Sequence, residues 1–327
     1  QGEVMKAIRF AKTGGPEVLS LEDIDLPPPR AGEVRVRHAA IGVNFIDTYH
    51  RSGLYPVSLP SGIGLEGAGI VEAIGDGVAT LREGDRVAYC TGPLGAYAEA
   101  NNVPADRIVK IPPGVSDEVA AACLLKGMTA QYLLRRTFVV QRGQTILFHA
   151  AAGGVGLIAC QWAMHLGATV IGTVGADDKA ELAKANGCAH VLNTRKEDWS
   201  RRVRETTGGA GVPVVYDSIG KDTFTGSLDC LAVRGMMVSF GNSSGAVPPF
   251  ETGMLSAKGS LYLTRPTLFH YIRDAQELQE TADDLFAVIE SGAVKIAIHQ
   301  RFSLAEARQA HEALHSRATT GATVLVP

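Results

Sequence analysis

A glycine turn set between an apolar run and a helix-like segment constrains this chain more than any other feature. Thr145-Ile146-Leu147-Phe148 leads into His149-Ala150-Ala151-Ala152-Gly153-Gly154-Val155-Gly156, and a segment with helical character follows from Leu157 to Leu166. Strand, glycine turn and helix in that order strip side chains from a bend, so backbone N–H groups can approach a pyrophosphate at the positive end of the helix. The turn departs from the usual G-x-G-x-x-G, because Ala151 stands where the first glycine would be. Its surroundings restore the signal. A second apolar strand, Thr169 to Val174, follows at βαβ spacing, with further strand-like runs at His190 to Leu192, Val212 to Tyr216 and Gly235 to Phe240. Strands alternating with helices predict an α/β fold built on a doubly wound parallel sheet, and the ligand implied is a dinucleotide.

The end of the second strand points to which dinucleotide. A site for NAD places Asp or Glu about 20 residues past the glycines to bond the ribose 2′-OH. Here the strand runs into Val174-Gly175-Ala176, which leaves room for a 2′-phosphate, with Lys179 and Arg195 supplying positive charge nearby. NADPH is the expected cofactor. Asp177 and Asp178 oppose this, since a carboxylate beside a phosphate is repulsive unless it points away or caps the helix expected to begin near Lys179.

With 327 residues and 46% hydrophobic content, the chain can build two domains with real cores. A net charge of −3 gives no general electrostatic reason to expect nucleic acid or an anionic membrane as partner. Five cysteines, at 90, 123, 160, 188 and 230, are scattered and form no C-x-x-C pair, the usage of a reducing compartment, and a cytoplasmic location is expected. No apolar run reaches bilayer-spanning length, and Gln1 to Lys6 lacks the pattern of a signal peptide.

Before the nucleotide unit the pattern becomes short strands divided by Gly and Pro: Met5 to Phe10, Glu33 to Ala40, Gly67 to Ile74 and Asp85 to Tyr89. Such spacing suggests a compact, mostly β domain. A boundary is expected near Gly127. Past about Arg265 the chain reads as helix (Gln276 to Ser291), strand-like Lys295 to Phe302, helix (Leu304 to His315) and a last strand (Ala322 to Val326), a tail expected to return and complete the first domain.

Longer motifs carry a family resemblance. They are Gly14-Gly15-Pro16-Glu17-Val18-Leu19, Ala40-Ile41-Gly42-Val43-Asn44-Phe45-Ile46-Asp47-Thr48-Tyr49, Arg51-Ser52-Gly53-Leu54-Tyr55-Pro56, Lys126-Gly127-Met128-Thr129, Val215-Tyr216-Asp217-Ser218 and Ser239-Phe240-Gly241-Asn242-Ser243-Ser244-Gly245, together with the glycine turn. Over nearly its whole length the chain resembles the medium-chain dehydrogenase/reductase superfamily and, within it, the zinc-free NADPH-dependent quinone oxidoreductases related to zeta-crystallin. The resemblance implies a GroES-like catalytic domain over residues 1–127, completed by 266–327, a Rossmann NADP-binding domain over 128–265, a cleft between them and a homodimer.

The superfamily has a zinc alcohol dehydrogenase branch, which typically carries Cys where this chain has Asn44 and Gly-His-Glu where it has Gly64-Leu65-Glu66; the lobe of four close cysteines is missing too. No zinc site can be assembled from these residues. His311-Glu312-Ala313-Leu314-His315 fits H-E-x-x-H, but no ligand follows it, and the two histidines read as ordinary helix residues. Nucleophilic catalysis lacks a G-x-S-x-G elbow, and Cys123 and Cys160 read as packing residues.

Transfer of a hydride from NADPH to a small quinone needs little acid catalysis, because solvent can supply protons to the aromatic product. By resemblance, Asn44 holds the nicotinamide end or the substrate oxygen, and Tyr49 and Tyr55 line the quinone pocket, while Asp47 orders the loop. A turn residue at 44 and plain packing at 49 and 55 are the competing readings. The resemblance places Asn44, Lys126, Thr129, Tyr132, Gly153, Gly154, Val155, Gly175, Lys179, Thr194, Ser218, Phe240, Gly241, Asn242, Ser243 and Arg317 in the cofactor shell; Thr194 departs from a family in which Tyr is frequent at that position. Two alternatives stand beside quinone reduction. One is NADPH-dependent reduction of an enone or alkenal double bond, which needs a donor for the α-carbon such as Tyr49 or Tyr55; the other is a non-catalytic crystallin or RNA-binding role, for which no basic stripe or aromatic motif speaks.

Overall fold

The structure, a computed structural model, describes residues 2–316 and 319–327. The chain divides into two compact units: Gln1–Leu125 with Ile272–Glu290 and Ile296–Pro327, and Lys126–Tyr271 with Ser291–Lys295.

The first unit begins with strands β1 (Glu3–Phe10), β2 (Ser20–Leu26) and β3 (Glu33–Gly42), helix α1 (Phe45–Ser52), strands β4 (Ser61–Gly62), β5 (Glu66–Ile74), β6 (Arg86–Tyr89), β7 (Ala100–Pro104) and β8 (Val109–Lys110), and helix α2 (Asp117–Tyr132), within which the division between units falls. The second unit continues with β9 (Thr145–Phe148), α3 (Gly154–His165), β10 (Thr169–Val174), β11 (Cys188–Asn193), β12 (Val212–Asp217), β13 (Leu231–Ser239) and β14 (Tyr262–Thr264). The tail supplies α4 (Ala275–Glu290), β15 (Ile298–Ser303), α5 (Ala307–His315) and β16 (Ala322–Val326).

In the first unit β1 pairs antiparallel with β2 and β4, while β15, β16, β3, β5, β6 and β8 lie side by side and β7 pairs with β3. The tail strand β16 is hydrogen-bonded directly to β3, so the sheet is completed from the far end of the sequence. Helix α5 buries Ala307, Ala310, His311 and Leu314, one face at i, i+3, i+4 and i+7, against Ile8, Phe10, Leu19 and Tyr97. Chain order alone does not show this packing.

The second unit holds a wholly parallel sheet in the order β11, β10, β9, β12, β13, β14. Its central strands are apolar without alternation, as at Ile146-Leu147-Phe148 and Val170-Ile171-Gly172-Thr173-Val174, all buried. Continuous burial is what a sheet covered on both faces requires. The reversal of strand order between β9 and β12 creates the crevice at the C-terminal strand ends where ligands of this architecture bind.

Several boundaries move. The helix expected from Leu157 begins at Gly154, because the glycine turn winds straight into its first turn. The strand expected over 235–240 begins at Leu231, and the one expected from Lys295 begins at Ile298. Strand β2 carries Glu22, Asp23 and Asp25 and has no one-sided apolar pattern, so pairing with β1 rather than propensity makes it a strand. Among the described residues, no helix is long and apolar enough to cross a membrane.

Candidate functional site

In the second unit the turn after β9 is tight and bare. Ala150 takes a left-handed conformation with φ 52°, and Gly153 caps α3, its carbonyl accepting from Leu157 N–H at 2.9 Å. A Cβ on Gly156 would lie 2.3 Å from the Ala150 carbonyl oxygen, so helix and turn meet there only because the side chain is missing. The departure at Ala151 has a compensation: its methyl occupies space left by Gly172 on β10, where an added Cβ would stand 2.7 Å from it. Gly153 is exposed, and Gly154 has only the aliphatic stem of Lys126 over it. The early N–H groups of α3 therefore open onto a turn that has no long side chain of its own, with the Lys126 stem beside it, which is the kind of cradle a pyrophosphate needs.

The remaining strand ends supply the rest of the expected shell. Ser218 follows β12 and Phe240-Gly241-Asn242-Ser243 follows β13; Ser243 N–H donates to the Ser218 carbonyl at 3.1 Å, which ties the two loops together. Gly175 follows β10 with open space over it, the nearest atom to an added Cβ being Arg195 Nε at 3.9 Å. Thr194 N–H donates to the Val174 carbonyl at 3.1 Å, so Thr194 and Gly175 lie on adjacent strand ends. Lys126 and Thr129 lie on α2, and Tyr132 at its end is buried with its ring stacked on Tyr271 at 4.4 Å. Arg317 lies outside the described residues.

The repulsion expected at Asp177 is relieved. Its carboxylate accepts from the Lys196 ammonium and from Asn193 Nδ2 at 2.8 Å, and these contacts, Lys196 foremost, hold it below the usual carboxylate range. The side chain caps no helix: residues 177–179 form a 3-10 turn whose N-cap is Ala176, and the α-helix begins at Ala180.

Beneath the turn, His149 is fully buried at the end of β9. Its Nε2 meets Ser227 Oγ at 2.9 Å and its Nδ1 meets Thr173 Oγ1 at 2.8 Å. Asp217 Oδ2 accepts from Ser227 at 2.7 Å and Thr223 at 2.6 Å, while Oδ1 accepts from the backbone of Ile219 and Gly220. Serine, histidine and aspartate thus meet in the order Asp217, Ser227, His149, with the serine proton committed to the carboxylate. That polarity is opposite to a nucleophilic triad, in which histidine takes the serine proton.

In the first unit Asn44 is buried at the N-cap of α1, and its Nδ2 donates to Glu66 Oε1 at 2.9 Å; Glu66 Oε2 accepts from Leu125 N–H, also at 2.9 Å. Asp47 Oδ2 accepts from the Asn44 N–H at 2.9 Å, which fixes the cap and gives Asp47 the ordering role expected of it. Tyr49 lies on α1 and Tyr55 just beyond it, with ring centroids 5.2 Å apart and Tyr55 46% exposed. The three residues named for substrate contact are thus gathered around one short helix.

One reading needs correction. His311 and His315 are not ordinary helix residues: Arg51 Nη1 donates to His311 Nδ1 and Arg51 Nη2 to His315 Nε2, both at 2.7 Å. The i, i+4 spacing that suggested a metal instead grips a guanidinium. Among the described residues, no group of three or more His, Cys, Asp or Glu is placed to hold a metal ion. All five cysteines are buried and free, and burial pushes the thiol of Cys230 up to about 12. Sequence reasoning missed the parts played by Glu66, Tyr97 and Arg51: the first two reach α1 from other strands and loops, and Arg51, on α1, finds its imidazole partners 260 and 264 positions away, which no local spacing reports.

Comparison with known proteins agrees with this layout. Residues 30–113 match the family model for the alcohol dehydrogenase GroES-like domain, and residues 154–287 match that for zinc-binding dehydrogenases. A quinone oxidoreductase of Pseudomonas aeruginosa is 56% identical, covering 98% of this chain and 99% of the relative. The crystal structure of Escherichia coli quinone oxidoreductase complexed with NADPH superposes with a TM-score of 0.94 at 52% identity, covering 98% of this chain and 100% of that one. A 2-haloacrylate reductase from a Burkholderia species is 46% identical over 99% of both chains.

Proposed function

Because this chain belongs to the quinone oxidoreductase family of the medium-chain dehydrogenase/reductase superfamily, we propose that it is an NADPH-dependent enzyme passing reducing equivalents to small quinones. The observation that carries this reading is the glycine turn at Gly153 and Gly154, at the N-terminus of α3, where Gly153 is exposed and the side chain nearest to Gly154 is the stem of Lys126. When bound, NADPH supplies a hydride at its nicotinamide ring.

The chain's own residues divide the remaining tasks. Gly154 and Val155 offer backbone N–H groups to the pyrophosphate, Gly153, whose own N–H is held by the Ala150 carbonyl at 3.0 Å, keeps the approach bare, and Lys126 and Thr129 stand on the neighbouring helix. Gly175, Lys179 and Thr194 surround the adenosine ribose and its 2′-phosphate, with Asp177 drawn aside by Lys196 and Asn193. Ser218, Phe240, Gly241, Asn242 and Ser243 take the middle of the cofactor, Tyr132 and Arg317 belong to the same shell, and Asn44 holds the nicotinamide end or the substrate oxygen. Tyr49 and Tyr55 present aromatic faces to a planar quinone. Asn44 and Leu65 occupy positions where zinc relatives carry ligands, so the reading needs no metal. Five buried free thiols favour a cytoplasmic location, and a homodimer is proposed by analogy with the family.

The test is initial-rate oxidation of NADPH and of NADH with benzoquinone and, separately, with an enone or 2-haloacrylate, each with and without a chelator. Quinone turnover that prefers NADPH and ignores the chelator is expected. Turnover of the double-bond substrate alone would replace this reading with the one that the 2-haloacrylate reductase relative suggests. Light scattering after size exclusion checks the dimer, and a monomer mass would remove it.

A further inference from the structure

The motif His311 to His315, set aside as a metal site, is one end of a buried chain of hydrogen bonds that reaches Asn44. Arg51 is 3% exposed although it is a cation, and among the described residues its guanidinium is met by two imidazoles and the Gly14 carbonyl, not by a carboxylate. Burying a charge this way is costly unless the arrangement serves something else.

The direction of the chain follows from the donors. A guanidinium has donors only, so His311 Nδ1 must accept. His311 is then neutral with its proton on Nε2, which donates to Tyr97 Oη at 3.0 Å. Burial, Arg51 and His315 hold the ring at a pKa of about 3, in keeping with that neutral form. The phenol proton is left to donate to Asp47 Oδ2 at 2.7 Å, the same oxygen that accepts the Asn44 N–H. Arg51, His311, Tyr97 and Asp47 thus form a one-directional chain, positive at one end and negative at the other.

We propose that Arg51, His311 and Tyr97 are positioning residues for Asn44: through Asp47 they hold the first turn of α1 and so set the backbone from which the Asn44 carboxamide is presented. This rests on the reading of Asn44 as a contact to the nicotinamide or the quinone. Without the chain, Asp47 keeps the Asn44 N–H but loses its phenol donor, and the cap is free to shift relative to Glu66. Misplacing a substrate-orienting group by about 1 Å costs up to about a hundredfold in rate.

Tyr97→Phe removes the phenol link and keeps the ring. His311→Leu removes both imidazole contacts, and His311→Gln keeps one acceptor and one donor. Each is assayed with NADPH and benzoquinone, alone and combined with Asn44→Ala, with rates expressed per NADPH-binding site titrated by nicotinamide fluorescence. Tyr97→Phe and His311→Leu are expected to lower kcat/KM for the quinone on the order of tenfold per titrated site, His311→Gln to recover most of it, and Tyr97→Phe to add little once Asn44 is alanine. A merely structural role would reduce the number of titrated sites and leave the rate per site unchanged, and that result overturns the proposal. So does full additivity with Asn44→Ala. If Asn44→Ala itself leaves quinone turnover intact, the contact assigned to Asn44 fails and the positioning role falls with it; a large Asn44→Ala effect beside a silent Tyr97→Phe overturns the positioning role alone. Tyr97→Phe, the smallest change, keeps the test decisive if His311→Leu does not fold.

Discussion

Each unit buries a histidine in a polar network that includes an aspartate, and the two are built in opposite ways. In the second unit, Asp217 accepts hydrogen bonds from Ile219, Gly220, Thr223 and Ser227, all within ten positions of it. Burial pushes that carboxyl up, but His149, the two hydroxyls and the Gly220 N–H together hold it below the ordinary value. In the first unit, Asp47 is reached through Tyr97, fifty positions away, and His311 lies 260 positions from Arg51. The bonds to the Asp217 carboxylate can form as soon as β12 and the helix after it form, with His149 joining Ser227 from 78 positions away. The distant network exists only when the tail has docked, because α5 carries the histidine. A carboxylate served by its own turn is a property of a segment, whereas one served across the fold reports that the fold is complete.

The largest break in this comparison is expected at Asp217. Asp217→Ala strands two buried hydroxyls and two backbone N–H groups, and should lower the unfolding free energy by about 3–5 kcal/mol in urea denaturation. Next comes pH. His38, buried on β3 between the Ala98 carbonyl and the Tyr89 hydroxyl, and His311 are held neutral with pKa values of about 4 and about 3, by burial foremost, against 6.5 when unfolded. Below about pH 6.5 the unfolded chain binds protons that the folded chain refuses, so stability is complete above that value. It falls as the pH drops toward 4 and 3, by about 1.4 kcal/mol per pH unit for each group. Denaturation at a series of pH values should show this slope, and His311→Gln should remove the part that belongs to one proton.

A smaller effect is expected of Arg51→Met, which keeps the length of the side chain and removes a buried cation that among the described residues has no carboxylate hydrogen-bonded to it, Glu17 acting on it only from a distance. The loss should be about 1–2 kcal/mol, well below that at Asp217, because the deleted charge was itself costly to bury. A loss equal to that of Asp217→Ala would erase the distinction between the two networks. The smallest change is at the surface. Lys196→Ala should leave the melting temperature in place and weaken NADPH a few-fold more than NADH in a fluorescence titration, by leaving the Asp177 carboxylate near Gly175 without a cation and held by Asn193.

How much of this was legible depended on distance along the chain. The strands Thr145–Phe148, Thr169–Val174 and Ala322–Val326 have the bounds expected from their apolar runs. The glycine turn was readable in spite of Ala151, although only the packing of its methyl against Gly172 accounts for the substitution. Helix α2 gave no amphipathic signal, since it is apolar on every side and its sequence marks only a boundary near Gly127. Asn44, Tyr49 and Tyr55 came from family resemblance, and their clustering about α1 with Glu66 behind them came from the structure.

The sequence by itself determined the fold class, the dinucleotide turn and the family, because periodicity, glycine placement and motif spacing are properties of contiguous residues. Tertiary structure alone decided that His311 and His315 hold Arg51, that Asp177 turns to Lys196, and that β16 completes the sheet begun by β3. A hydrogen-bond donor specifies that it must be satisfied but not by whom. Which acceptor satisfies it is settled only when elements hundreds of residues apart are packed together and the remaining choices are excluded by volume.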